Sequence, residues 1–265
     1  MLLAECFAIA IHTYAVMSNH LHLVVQLEPA QVRQWSDAEV AARWVRLFPP
    51  RENTATAHER KSDVLMADAA RMSVTRARLC DLSWLMRCLA EPIARAANVE
   101  DGCTGRFWEG RYKAQVLCDD RAVLAAMAYV DLNPIRAGLT SELKHSRHTG
   151  AHVRLRELSR PATEAMLQPI AGSLLACLPI RLGEYLTLLE WTGKQISPGK
   201  AGFIPLSAPS VLARLDAQPD RWTTRVRSIG SGYWRAVGEV QDLIDIAQRL
   251  GQRWLKGIGV AAKLA

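Results

Sequence analysis

Two histidines, a tyrosine and an asparagine stand at spacings that could support phosphoryl transfer. His20 and His22 lie two residues apart in Ser18-Asn-His-Leu-His-Leu-Val-Val25. In an extended strand, side chains i and i+2 share a face, so both imidazoles emerge together while Leu21 and Leu23 turn the other way. Taken by itself, that spacing favours the plainer reading, two polar residues on the wet face of a half-buried strand. About a hundred residues on, Tyr129 and Asn133 stand four apart in Ala128-Tyr-Val-Asp-Leu-Asn-Pro-Ile-Arg-Ala-Gly-Leu139. On a helix or its last turn they share one face. A strand offering two imidazoles and a helix offering an amide oxygen and a phenol make a minimal phosphoryl-transfer site. A metal there polarises the phosphate, and the phenol is the nucleophile of a covalent intermediate. Two nitrogens and one amide oxygen leave positions for waters and a phosphate, which suits Mg²⁺ or Mn²⁺ better than a closed structural zinc.

Each residue has a plainer role as well. Tyr129 fits an aromatic packing on a sheet, and Asn133 before Pro134 fits turn chemistry. Tyr112 is a competing nucleophile whose strand position suits the core or a surface contact better. Glu109 reads as a surface partner of Arg111 or Lys113. His145, His148 and His152 read as residues of a basic loop at 141–160.

The elements that must position these groups follow from pattern. Residues 7–17 and 20–27 are apolar and strand-like, and Ser18-Asn19 between them is a two-residue hairpin signal. Residues 36–48 read as a helix with Ser36 and Glu39 as a capping box, closed by Pro49-Pro50. Residues 51–78 read as an exposed, charge-rich helical or irregular insertion. A helix over 81–98 carries an apolar stripe, with Pro92 as a kink or join. The run 106–118 mixes aromatic and basic residues and reads as a strand. Asp119 or Asp120 caps a helix to about 131, closed near Asn133-Pro134. From 161 the pattern is helical, with candidates at 162–177, 181–195, 207–216 and 231–256. Tyr185, Trp191, Trp222, Tyr233, Trp234 and Trp254 in that stretch read as core rather than as stacking platforms. The organisation expected is a domain over 1–158, with an insertion at 33–79, and a helical accessory domain over 159–265.

Composition narrows the class. The 265 residues are 49% hydrophobic with mean hydropathy −0.01, as in soluble globular chains. The net charge of +7 permits a polyanionic partner. Residues 1–155 carry 19 Lys/Arg against 17 Asp/Glu, whereas residues 156–265 carry 14 against 9. The six cysteines form no Cys-x-x-Cys pair, which points to reduced thiols in a cytoplasmic protein. No apolar run is long enough to span a membrane, and the apolar opening lacks the basic start of a signal peptide.

His20-Leu-His22, Tyr129 and the Tyr-x-x-x-Asn-Pro-x-x-Ala-Gly string together resemble the single-tyrosine HUH transposases, closest to the REP-associated tyrosine transposase branch. Tyr14-Ala-Val-Met-Ser-Asn-His-Leu-His-Leu-Val-Val25 resembles the family's hairpin, with the HUH motif on its second strand. Arg106-Phe-Trp-Glu-Gly-Arg-Tyr-Lys113 resembles its fourth strand. The resemblance covers about 7–140. It implies an α+β fold, a ferredoxin-like antiparallel sheet with helices, here lacking the first strand and so read as N-terminally truncated. It further implies cleavage of single-stranded DNA beside a hairpin, in transposition or REP-element processing. Tyr129 forms a 5′-phosphotyrosine, His20, His22 and Asn133 hold the metal, and Arg106, Arg111 and Lys113 hold backbone phosphates. Relatives include monomers and homodimers. Two alternatives stay open: an inactive DNA-binding remnant of a transposase, and a metal-dependent hydrolase with water as nucleophile.

Overall fold

The computed structural model describes residues 2–156, 158, 163–196, 207–233 and 235–264. Trp234 and residues 197–206, between the helices expected at 181–195 and 207–216, lie outside them. The fold is mixed, helix-rich with small sheets. Its elements run α1 (Leu2–Cys6), β1 (Ile9–Val16), β2 (Leu21–Leu27), α2 (Pro29–Gln34), α3 (Asp37–Leu47), α4 (Ala55–Met66), α5 (Ala69–Arg78), α6 (Leu82–Glu100), β3 (Val116–Leu117), α7 (Asp120–Asp131), α8 (Asn133–Arg136), α9 (Gly150–Arg156), β4 (Met166–Leu167), β5 (Ala171–Gly172), β6 (Leu178–Arg181), α10 (Leu182–Ile196), α11 (Ser210–Arg214), α12 (Pro219–Ser228), β7 (Ala236–Val237), α13 (Val240–Arg249) and α14 (Ile258–Leu264). None of the described helices is long and apolar enough to cross a membrane.

By packing, the chain divides into two units. One holds Met1–Ile11, Val25–Lys113 and Ala171–Leu174; the other holds His12–Val24, Ala114–Ile170 and Leu175–Ala265. Residue 158, where the sequence suggests a boundary, falls inside the second of these units. Leu143 and Ala151 share a core with Leu167, Leu178 and the helices beyond.

In the first unit, helix starts are fixed by side-chain caps. Ser36 Oγ accepts from the Glu39 N–H at 3.2 Å, and Glu39 Oε2 accepts from the Ser36 N–H at 2.9 Å. Thr54, Asp68 and Asp81 cap α4, α5 and α6 in the same way. Residues 51–78 therefore hold two regular helices, α4 and α5. Leu65 and Met72 reach inward from them to a cluster with Val32, Trp35, Val40, Ala41 and Leu79. The hairpin sheet has the order β2-β1-β5. β5 pairs antiparallel, Ala10 with Gly172 and Ile11 with Ala171. Gly172 has φ +87°, and a Cβ there would collide with the Ile9 carbonyl oxygen, so only glycine closes this edge.

In the second unit, α7 is buried almost all round. Leu124, Ala125, Met127, Ala128 and Val130 pack with Tyr185, Leu188 and Leu189 of α10 and with Trp222 and Val226 of α12. A helix apolar on every side belongs inside, and its alanines let neighbouring helices approach closely. Asp119 Oδ1 starts it by accepting from the Ala122 N–H at 2.7 Å. Trp222 Nε1 donates to Thr192 Oγ1 at 2.9 Å, so the largest buried ring keeps its polar atom satisfied. Tyr185, Trp191, Trp222 and Tyr233 are core, as their spacing suggests, but Trp254 is exposed.

Three sequence expectations are corrected. The strand expected over 106–118 exists only as β3, which pairs in parallel with β7, Val116 with Ala236. Residues 106–113 are instead irregular, with bends at 107–111, and Trp108 Nε1 donates to the Ala90 carbonyl at 3.0 Å. The helix expected over 162–177 contains the strands β4 and β5, because Pro169 and Gly172 break it. The helix expected over 231–256 survives only as α13, since Gly232 and Gly238 precede it and β7 intervenes.

Candidate functional site

The hairpin closes as its turn residues predict: the Met17 N–H donates to the His20 carbonyl at 2.9 Å across Ser18-Asn19. His20 is exposed at the start of the returning strand, and His22 is half-buried one step along the same face. Their ring centroids lie 4.8 Å apart, edge to face. Asn19 Oδ1 lies 2.6 Å from His20 Nδ1, close enough to orient that ring. Tyr129, on α7, brings its ring to 5.6 Å from His22, again edge to face. The guanidinium of Arg136, on α8, lies over the Tyr129 ring at 4.2 Å. His20, His22, Tyr129 and Arg136 thus form one continuous cluster.

Burial, aided by the neighbouring His20 and Arg136 charges, pushes the His22 imidazole down to about 4. His22 is therefore neutral near pH 7, the form that ligates a metal. The imidazole pair fits Mn²⁺ better than Mg²⁺, since nitrogen donors suit the softer ion. Arg136 works against any cation at His22 and in favour of an anion beside Tyr129.

Asn133 is 7% exposed at the start of α8. Its backbone carbonyl accepts from the Ala137 N–H at 2.9 Å. Among the described residues no hydrogen bond joins its side chain to either imidazole, and no group of three or more His, Cys, Asp or Glu is arranged to hold a metal ion. Arg106, Arg111 and Lys113 are exposed and belong to the first unit. Tyr112 shares a 3.0 Å hydrogen bond with Ser83 of α6.

Beneath the cluster lies a buried carboxylate that the sequence reading passed over. Asp131 is 0% exposed. It accepts from Thr13 Oγ1 at 2.6 Å, from Tyr185 Oη at 2.5 Å and from the Ala151 N–H at 2.9 Å. Arg154, 5% exposed, supplies the opposing charge and donates to the His12 and Gln168 carbonyls at 2.7 and 3.0 Å. Burial raises the carboxyl above its usual range, while Arg154 and the three donors pull it back down. Asp131 and Tyr129 are two positions apart on one helix, so they face opposite ways. The network ties β1, α7, α9 and α10 together and so fixes the direction in which Tyr129 points. Further along β1, Ala15 bridges Thr149 and the Val16 N–H donates to the His148 carbonyl at 3.0 Å.

Two more contacts were missed. Arg136 is seven residues after Tyr129, a helical i+7 spacing that could have flagged it. Gly230 packs against the Tyr129 hydroxyl, and a Cβ there would collide with it and come within 2.9 Å of Cζ. No local sequence signal announces that contact. Comparison of the chain with family models, with curated proteins and with solved structures finds no match.

Proposed function

We propose that this chain is a single-tyrosine, metal-dependent DNA endonuclease and strand transferase of the HUH transposase type, acting on single-stranded DNA beside hairpins in DNA transposition or REP-element processing. The observation that carries the reading is the approach of the Tyr129 ring to 5.6 Å from His22 in a same-face histidine pair. The hairpin and α7 would be elements of a ferredoxin-like core. The reaction would take place in the cytoplasm, where the chain's six cysteines would stay reduced.

His20 and His22 would hold a Mn²⁺ or Mg²⁺ ion, with Asn133 as the proposed third ligand. When bound, the ion neutralises charge that builds on the phosphate oxygens. Tyr129 Oη attacks the phosphorus, its bond to phosphorus forming as the bond to the 3′-oxygen breaks. Tyr129 gives up its phenolic proton and the departing 3′-oxygen takes one up. The products are a 5′-phosphotyrosine and a free 3′-hydroxyl, and a second 3′-hydroxyl reverses the step to join strands. Arg136, beside the nucleophile, would hold the phosphate being attacked. Arg106, Arg111 and Lys113 would hold backbone phosphates, with a salt-dependent contribution. A duplex is excluded because the scissile phosphate must be splayed into the site.

Incubation with end-labelled hairpin oligonucleotides and Mn²⁺ should give a covalent adduct on a denaturing gel, lost with chelator and in Tyr129→Phe. No adduct with wild-type protein on several hairpin substrates would overturn the proposal. The packing of the Tyr129 hydroxyl on Gly230 favours a second reading, a DNA-binding remnant without cleavage. It predicts hairpin binding with no adduct. Cleavage that persists in Tyr129→Phe without an adduct would instead mark a hydrolase using water.

A further inference from the structure

The first unit carries a basic and aromatic surface that has no part in the cluster around Tyr129. Between α3, α4 and α5 lies a concavity of about 380 Å³. Its rim holds four cations, Arg51, Arg60, Lys61 and Arg71, against a single carboxylate, Glu52. Among the described residues no ion pair engages any of the four. Lys61 donates to the Phe48 carbonyl at 2.6 Å; Arg51, Arg60 and Arg71 are exposed. The wall is apolar, with Trp44, Val64 and Leu65.

Trp44 is also the first of a set of half-buried rings. Phe48 lies 4.5 Å from it and Trp84 5.6 Å, centroid to centroid. Arg78 stands over Trp84 at 4.2 Å, and Arg87 does so at 5.1 Å. Unneutralised cations ask for a polyanion. Of these rings Trp44 lines the concavity, and a flat ring there asks for a planar partner. An acidic peptide would meet the first demand and leave that ring unused, and a duplex keeps its bases stacked away from it. Regular phosphate charge and free base faces occur together in single-stranded nucleic acid.

We propose that the concavity of Trp44, Arg51, Arg60, Lys61 and Arg71 binds single-stranded nucleic acid, with a base against Trp44 and backbone phosphates on the arginines. The proposal stands independently of Tyr129 and of the reaction proposed for it.

The test is binding without cleavage. The full-length chain, in EDTA, is titrated against fluorescein-labelled dT15, rU15, a 15-base-pair duplex and heparin across a salt series, read by anisotropy. Binding of dT15 or rU15 in preference to the duplex is expected, and the two arms show whether DNA or RNA is the source. Arg60→Ala with Arg71→Ala, both exposed, should weaken binding and flatten the log–log salt slope by about 1.4, two contacts at ~0.7 each. Trp44→Leu, which keeps apolar volume, should weaken it about fivefold or more with the slope unchanged. Circular dichroism confirms that each variant folds. Equal affinity for duplex or heparin, or single-strand affinity unmoved by the arginine pair, overturns the proposal.

Discussion

Replacing Asp131 by alanine should destabilise the second unit by about 4 kcal/mol, with the cluster around Tyr129 losing its support as a consequence. Removing the charge that opposes a buried cation costs up to ~3–5 kcal/mol, because that cation stays behind without compensation. Here that charge is Arg154, held in place by two backbone carbonyls and unable to swing out. Three further donors lose their acceptor: Thr13 Oγ1, Tyr185 Oη and the Ala151 N–H, all on fully buried residues. Each orphaned donor costs ~1–3 kcal/mol when no water enters. These contributions overlap, since one water in the vacated space can serve several donors. About 4 kcal/mol is therefore taken as the net effect, a large fraction of the ~5–15 kcal/mol that holds a typical domain. Tyr185→Phe removes one donor and leaves Asp131 its other partners, so ~1–2 kcal/mol is expected. Urea unfolding followed by far-ultraviolet circular dichroism measures both. Arg154→Met combined with Asp131→Ala should recover part of the loss, because it removes the stranded charge. An Asp131→Ala midpoint within 1 kcal/mol of the parent, or a double variant as weak as the single, would refute the assigned role.

Three further outcomes follow from the cluster. Arg136→Ala should leave the urea midpoint near that of the parent, since Arg136 is exposed, while lowering adduct yield tenfold or more; unchanged yield removes Arg136 from phosphate binding. Gly230→Ala should destabilise by ~1–3 kcal/mol through overpacking on Tyr129, and adding Tyr129→Phe, which removes the colliding hydroxyl, should restore part of it in the same urea assay. His22 should titrate at about 4 by NMR. Its folded value lies below the unfolded one of about 6.5, so its contribution to stability is full above about 6.5 and is lost as pH falls towards 4. A His22 titration near 6.5 would contradict its burial, and Arg136→Ala should move it upward.

The parts of the site that were legible in the sequence are local. His20 and His22 follow a two-residue turn, and strand alternation alone places both rings together. α7 was readable from the Asp119 cap and an apolar run through Val130. Asp131 was not, because its partners Thr13, Ala151 and Tyr185 come from three other elements and no spacing near Asp131 points to them. The aromatic and basic run at 106–113 looked extended, but Trp108 and Tyr112 are fastened to α6 instead. Over 162–177 the alanine and leucine content suggested a helix, and Pro169 with Gly172 outweighed it. The metal ligands expected from the sequence show the same limit from the other side. Spacing put Asn133 on the face of Tyr129, yet the end of α7 at Leu132 and the short α8 bury Asn133 without bonding it to the histidines.

The closure of the β1 edge by Gly172 bears on how the chain is made. β1 and β2 meet across a two-residue turn and can pair within microseconds of leaving the ribosome. The partner at Ala171–Gly172 lies roughly 160 residues further on, which at ~5–20 residues per second is about 8–32 seconds of synthesis. Throughout that interval the outer edge of β1 at Ala10 and Ile11 lacks its partner, a template for another chain. A nascent chain halted before residue 171 should aggregate or recruit a chaperone, and one halted well past it should not.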